Sequence, residues 1–387
     1  MRLRLSAYYF LALAASGIFT AFWPLYLQSR GFGVGGIGLL VGLATGTRVV
    51  VPSLWGWVAD RSGRHMGVVR VAGAIAVLIF PAVMLSAAGP GGLTLASFLF
   101  MVCSPGTLSQ VEVTTLGHMG ADTGGYGRVR LWGSLGFIAA VSGLAPLVEH
   151  FGVQIVPALL AALLLCVWLT SLGIAEAPHA AAAAAAPGGG LGEVLRRPEV
   201  LAILGVTCAM QLAHGPYSTF YTIYLREHGY GATAIGALWG LAVVAEICAF
   251  LLVPTLWRRY TARELLLGAI ALSVLRWLLI AGAAEHPLVL MAAQTLHAAS
   301  FGVCHTVAIQ LVLRWFGPRH AGQGQALYAS AGGGLGTALG AGLAGLLWPR
   351  FGGASTFVLA SAVTALAWVA AQRWVRGPGA ERPLSRA

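Results

Sequence analysis

The amino-acid sequence predicts an all-α membrane protein, with twelve transmembrane helices arranged as two six-helix bundles related as parallel repeats. Three observations carry this reading. Hydrophobic residues make up 58% of the 387 and charged residues only 9%, with a mean hydropathy of +0.81, whereas soluble domains are about a quarter charged. Apolar runs of about 20 residues, long enough to cross roughly 30 Å of hydrocarbon, recur twelve times along the chain. The first half also matches the second at a constant offset, the mark of an internal duplication.

The spans are expected at 5–28, 35–58, 67–88, 92–117, 130–149, 153–175, 199–225, 233–257, 263–284, 287–313, 323–348 and 353–375. With the N-terminus inside, the cytoplasmic side collects Arg2, Arg4, Arg61, Arg64, Arg70, Arg128, Arg130, Arg196, Arg197, Arg258, Arg259, Arg263, Arg314, Arg319, Arg373, Arg376, Arg382 and Arg386, and the opposite side only Arg30, Arg226 and Arg350. The positive-inside rule then puts both termini in the cytoplasm, the arrangement expected in a bacterial inner membrane. Arg2 and Arg4 before Ala12-Leu13-Ala14 imitate a signal peptide, but the apolar run continues unbroken to Leu27, so the first span is expected to be retained.

The same features exclude several classes. The formal charge of +11 comes from arginines scattered over short loops, with no basic face interleaved with aromatics, so no nucleic-acid partner is expected. The five cysteines (Cys103, Cys166, Cys208, Cys248, Cys304) fall one each in five spans, with neither a CxxC spacing nor an outer pair. Glu149-His150, Glu227-His228 and Glu285-His286 lie on separate outer turns and read as solvated helix ends, so no metal and no cofactor is assigned. The absence of a nucleophile elbow, phosphate loop or HExxH helix excludes the common enzyme classes. The partners expected are a lipid bilayer, protons and a small-molecule substrate; a monomer is the default state.

Residues 176–198 are the longest polar interruption, and Ala180–Ala186 followed by Pro187-Gly188-Gly189-Gly190 has the composition of a linker. It divides an N-terminal bundle, 1–175, from a C-terminal bundle, 199–375, leaving a tail at 376–387. An offset of 198 residues aligns Phe22 with Phe220, Tyr26 with Tyr224, Leu27 with Leu225, Gly31 with Gly229, Gly33 with Gly231, Ile37 with Ile235, Gly38 with Gly236 and Gly42 with Gly240. Parallel six-helix repeats place a substrate site near the midplane at their interface. In this register Arg48 falls opposite Glu246, so one helical position carries opposite charges in the two halves.

The loop after span two reads Gly56-Trp57-Val58-Ala59-Asp60-Arg61-Ser62-Gly63-Arg64-His65. This G-x-x-x-D-R-x-G-R pattern, in the loop between spans two and three, resembles the signature of the major facilitator superfamily. A solvated basic loop is the bland alternative. The gating reading takes Gly56 for close helix packing, Gly63 for the tight turn, and Asp60, with Arg61 and Arg64, for contacts made in one conformation only. Gly17-Ile18-Phe19, Phe22-Trp23, Arg48, Tyr126-Gly127-Arg128-Val129-Arg130-Leu131-Trp132-Gly133-Ser134, His214, Leu238-Trp239, Glu246, Arg276-Trp277, Leu296-His297 and Cys304-His305 further resemble the 3-phenylpropionate permease group, a branch related to oligosaccharide:proton symporters. The resemblance implies the major facilitator fold and import. Gly143-Leu144-Ala145-Pro146 lacks the Gly-Pro-x-x-Gly-Gly pattern of drug antiporters. Glu112 stands where that group more often has aspartate, and takes no role from it.

Charges inside a membrane are expensive and mark pathways. Glu246 and Arg276 lie about 13 residues into spans eight and nine, which at roughly 1.5 Å per residue puts both at the midplane, where they can pair. A purely structural ion pair is the alternative. His297 lies at similar depth and His305 two turns beyond, as packing histidines or proton carriers. His214, Tyr217, Tyr221 and Tyr224 share a face of span seven, while Phe22, Trp23 and Tyr26 gather at the outer end of span one. Tyr26 and Tyr224 suit an interfacial belt, and His214, Tyr217 and Tyr221 suit either packing or an aromatic-substrate platform. The function expected is proton-coupled import of a small aromatic monocarboxylate by alternating access. Arg48 or Arg276 holds the carboxylate, His214, Tyr217, Tyr221 and His297 line the site, and Glu246 with His297 carries the proton. A nucleoside or sugar symporter is the rival, ahead of a drug antiporter or a non-transporting receptor.

Overall fold

The computed structural model describes residues 1–85, 89–120, 122–177 and 191–375. Most of the expected linker, the tail at 376–387 and the last three residues of the expected third span lie outside the described residues. Among the described residues twelve helices are long and apolar enough to cross a membrane: Arg2–Ser29, Val34–Ser62, His65–Met84, Pro90–Met119, Gly124–Phe151, Val153–Leu172, Pro198–Glu227, Ala232–Leu256, Ala262–Gly282, Pro287–Gly317, His320–Phe351 and Gly353–Trp374. They are called spans one to twelve in this order. Backbone polar groups have no water to turn to in hydrocarbon, and helices satisfy them within each segment.

The helix ends follow local chemistry. Span one closes on Gly31 at φ +88° and span seven on Gly229 at φ +83°, a left-handed conformation that glycine adopts without Cβ strain. The hydrogen bonds repeat as well: Phe32 N–H donates to Leu27 O at 3.1 Å, and Tyr230 N–H to Leu225 O at 3.0 Å. The duplication thus survives as matched caps. Thr261 and Glu264 form a reciprocal capping box at the start of span nine.

Departures from α-helix have equally local causes. Span two breaks into Val34–Gly46 and Val51–Ser62 around a 3-10 turn, Thr47–Val49. Pro52 has no N–H to give the Arg48 carbonyl, so the helix cannot run through that point. Span ten contains a π-helical stretch at Ala298–Val303, and the glycine-rich Ser330–Gly336 of span eleven is a second. Gly317 turns the chain between these spans at φ +68°.

Contacts divide the chain into two compact units, 1–182 with 219–240, and 183–218 with 241–387. In the first unit Phe19 stacks on Phe100 at 4.0 Å, and Trp23 Nε1 donates to Ser97 Oγ at 2.8 Å. Phe22, Trp23, Tyr26 and Tyr224 are buried among such neighbours, Tyr26 only 7% and Tyr224 2% exposed. The interfacial belt expected of Tyr26 and Tyr224 is therefore corrected to interior packing. Arg70 Nη2 donates to Ile174 O at 2.6 Å, and the Glu176 carboxylate accepts from Met66 and Gly67 N–H at the start of span three. Glu149 accepts from Thr233 N–H at 2.8 Å in the same way at span eight.

The second unit repeats the arginine staple, Arg263 donating to Gln372 O at 2.7 Å and Val375 O at 3.1 Å. Its tightest helix crossing joins spans seven and eleven. A Cβ on Gly215 would lie 2.5 Å from Gly340 Cα, and one on Gly340 would collide with the Leu212 carbonyl oxygen. That carbonyl lacks its helical donor, because the residue four positions on is Pro216. Glycine at 340 lets span eleven cover the gap directly.

Candidate functional site

The second unit gathers Arg276, His214, Tyr217, Glu246 and His297. Arg276 is fully buried, at 0% exposure. Its guanidinium lies over the rings of Tyr217 and Trp277, 4.3 and 4.4 Å from their centroids. Nε donates to Ala293 O at 3.2 Å and Nη1 to Ser300 Oγ at 2.9 Å. Two further contacts are long, Nη2 to Gln294 Oε1 at 3.4 Å and Nη1 to His214 Nε2 at 3.5 Å. Two aromatic faces and neutral oxygens thus fix the cation, with the Gln294 and His214 contacts the longest of the hydrogen bonds described.

The imidazole on that edge has a defined tautomer. His214 Nδ1 contacts the Met210 carbonyl at 2.8 Å. A carbonyl only accepts, so the proton sits on Nδ1 and the Nε2 lone pair faces the guanidinium. Tyr217 donates its hydroxyl to Gln294 Oε1 at 3.0 Å. Glu246 Oε2 lies 3.5 Å from His297 Nε2, so an imidazole joins the acid that depth alone paired with Arg276.

Three buried polar atoms here have no hydrogen-bond partner among the described residues: Gln294 Nε2, Trp277 Nε1 and His297 Nδ1. Each such group costs about 1–3 kcal/mol. Buried polar groups normally find a protein or water partner, so a cluster of such atoms beside a cation is unusual. The surrounding rings include His214 against Trp277 at 4.9 Å, Tyr217 against Trp277 at 5.9 Å and Phe301 stacked on His297 at 5.5 Å.

Two expected ligands fall in the first unit. Tyr221 packs edge-on against Trp239 at 5.6 Å and 82°, so contacts divide the span-seven face between Tyr217 and Tyr221. Arg48 occupies the break in span two, where its Nε is buried without a hydrogen-bond partner among the described residues.

In the signature loop, Gly63 caps the second half of span two at φ +65°. Asp60 Oδ1 lies 3.9 Å from His65 Nε2, while His65 Nδ1 contacts Gln110 Oε1 at 2.9 Å. Arg61 lies over Trp57 at 5.6 Å. Arg64 leads into span three, its Cβ facing Gly67. At Gly56 a Cβ would meet Gln110 Nε2 at 3.6 Å, an ordinary contact, so the close packing expected there is not enforced by space.

Some neighbours were not singled out from sequence. Gln294 stands one turn before His297 in an otherwise apolar stretch, and that amide was the available signal. Glu112, left without a role, pairs with Arg130 at 3.8 Å, and Arg130 also lies over Tyr9 at 5.7 Å. Arg130 enters the sequence reading as a topology charge and as part of the motif opening span five, without a partner, although an acid ending one span and an arginine opening the next are hairpin neighbours.

The MFS_1-like family matches over residues 2–359. The chain is similar to the "Probable 3-phenylpropionic acid transporter" of Escherichia coli (strain K12), 29% identical over 315 residues that cover 79% of this chain and 80% of that protein. It is similar to the maltose permease of Geobacillus stearothermophilus, 28% identical over 335 residues, 85% of this chain and 83% of that one. Among solved structures, that of the nucleoside transporter NupG superposes with a TM-score of 0.80 at 18% identity, covering 97% of this chain and 99% of the other.

Proposed function

The chain belongs to the MFS_1-like family and is an integral membrane secondary transporter of the major facilitator type, and from this premise we propose that it imports a small aromatic monocarboxylate together with a proton. The observation that carries the substrate class is the buried Arg276 guanidinium with its long contacts to Gln294 and His214. A carboxylate arriving there exchanges the long Gln294 and His214 contacts, at 3.4 and 3.5 Å, for charge-assisted bonds. It also meets the unpartnered donors Gln294 Nε2 and Trp277 Nε1. The rings of Tyr217, Trp277 and Phe301 surround the same point and suit an aryl group. The similarity to the 3-phenylpropionic acid transporter supports this class; the likeness to NupG speaks to fold.

Glu246, in contact with His297 at 3.5 Å, takes the proton. One proton with one monocarboxylate makes a neutral translocated pair, which avoids about 2.3 kcal/mol per charge for each 100 mV of membrane potential. Arg48 and Tyr221, which belong to the first unit, are further substrate ligands, and the Gly56–Arg64 loop, with Asp60, Arg61 and Gly63, gates alternating access. The functional halves are 1–175 and 199–375, joined by 176–198, with both termini in the cytoplasm of a bacterial inner membrane.

The test is uptake into proteoliposomes of labelled 3-phenylpropionate, maltose and uridine, with and without an imposed inward proton gradient. Gradient-stimulated uptake of the aromatic acid alone is expected. Uptake of maltose or uridine instead assigns the site to a sugar or nucleoside, the reading that the similarity to the maltose permease favours.

A further inference from the structure

A second polar cluster in the same unit borders that site. Ile203, Val206, Thr207, Met210, Gln211, Ser300, Phe301, His305 and Tyr328 are among the residues around a cavity of about 30 Å³. That is far too small for an aromatic acid, but a water needs only about 10–15 Å³ by the same measure, so it holds roughly two. Thr207 Oγ1 is buried there with no hydrogen-bond partner among the described residues, and a water in the cavity would satisfy it. On the far wall His305 Nδ1 contacts Tyr328 OH at 2.8 Å. These two residues stand 12 before and 11 after the turn at Gly317, so the hairpin of spans ten and eleven brings them to equal depth.

The cavity adjoins the proton site at Ser300 and Phe301. Ser300 Oγ lines it and also accepts from Arg276 Nη1 at 2.9 Å. The direct line is closed. His297, Phe301 and His305 form a continuous stack, 5.5 Å and 5.4 Å apart and within 9° of parallel, with the Phe301 ring between the two imidazoles. The stack runs through the π-helical turn at Ala298–Val303 into the α-helix that begins at Cys304. A proton passing from His297 to His305 must go around the ring, and the cavity, lined by Ser300, Phe301 and His305, lies beside it.

We propose that this cavity is a water-filled proton route joining the Glu246–His297 pair to the cytoplasmic side, with Thr207 and Ser300 holding the water and Tyr328–His305 as the terminal relay. The proposal rests on the coupling reading above. A cavity water takes up the proton released by the Glu246–His297 pair and gives one to the Tyr328 oxygen as the phenol passes its own proton to His305 Nδ1. The resulting imidazolium releases its Nε2 proton, so each group ends with the number it began with.

Two measurements test it on the purified full chain. The first is hydroxyl-radical footprinting, which needs no substrate. Met210 lines the cavity and Met66 belongs to an apolar core cluster, both shielded from bulk solvent. Met210 is expected to oxidise several-fold faster than Met66, and Thr207→Val, which keeps shape and removes the hydroxyl, is expected to abolish the difference. Equal rates in the wild type overturn the proposal. The second compares proton-driven uptake with equilibrium exchange of labelled 3-phenylpropionate in vesicles. Thr207→Val and Tyr328→Phe are expected to slow uptake several-fold with exchange unchanged, since exchange needs no proton release. Unchanged uptake, or exchange falling in parallel, overturns the relay. A wild type whose uptake ignores the gradient defeats the coupling reading itself and the relay with it, whereas a dry cavity in a gradient-driven wild type defeats the relay alone.

Discussion

Replacing Arg276 separates a substrate-binding cation from a purely structural one. In Arg276→Gln the edge facing His214 and Gln294 loses its charge. A hydrogen bond to a charged group is worth about 1.5–3 kcal/mol, so a two-pronged contact with a carboxylate contributes roughly 3–6 kcal/mol, which is a rise in Kd of about 10²- to 10⁴-fold. The substitution also removes the Arg276 donors from Ala293 O and Ser300 Oγ, now bonded at 3.2 and 2.9 Å. Relief from burying a cation offsets part of that loss, so the protein is expected to melt lower while remaining folded. Arg276→Lys keeps the charge but has one ammonium where the guanidinium serves several acceptors, and should fall between the two. The assay is equilibrium binding of labelled 3-phenylpropionate to detergent-purified protein, with gel filtration to confirm that each variant is monodisperse. A monodisperse Arg276→Gln protein with Kd within about threefold of wild type, less than 1 kcal/mol, refutes the carboxylate role and leaves Arg276 as an organiser of its neighbours.

Three further outcomes follow from the same geometry. Glu246→Gln should lose accumulation against a gradient yet still exchange substrate, read as counterflow in vesicles; undiminished accumulation removes Glu246 as the proton carrier. Asp60→Asn should slow the transport cycle far more than it weakens binding, because its exposed carboxylate meets His65 only at 3.9 Å here and is available to another conformation; equal losses of binding and turnover count against gating. Gly340→Val drives a side chain into the Leu212 carbonyl, and overpacking of this kind costs about 1–3 kcal/mol, so thermal melting in detergent should drop clearly, and an unchanged midpoint would show that spans seven and eleven separate freely.

Helix placement was legible because apolar length is set by the bilayer. Span seven was expected at 199–225 and runs Pro198–Glu227, and span ten was expected at 287–313 and runs Pro287–Gly317. The matched caps at Gly31 and Gly229 were visible as aligned glycines. Depth placed Glu246, Arg276 and His297 at one level, but which of them touch depends on helix rotation, and the π-helical turn after His297 shifts that rotation without a sequence signature of its own. Tyr26 and Tyr224 were misplaced for a related reason: amphipathic rings near a span end suit a lipid belt and an interior equally, and only neighbours such as Trp23, 5.2 Å from Tyr26, decide. The role of Pro52 in breaking span two at Arg48 could have been foreseen from its missing N–H.

The crossing of spans seven and eleven has a mechanical consequence. Where Gly215 and Gly340 meet, no side chains interlock, and the Leu212 oxygen left over by Pro216 faces a glycine Cα rather than an amide. Contacts of the Cα–H···O kind are worth perhaps 0.5–1 kcal/mol and tolerate displacement far better than an N–H···O bond. The joint is therefore built like a bearing surface, backbone against backbone and closely fitted, with no knob of one helix seated in the other at the point where Gly215 and Gly340 meet.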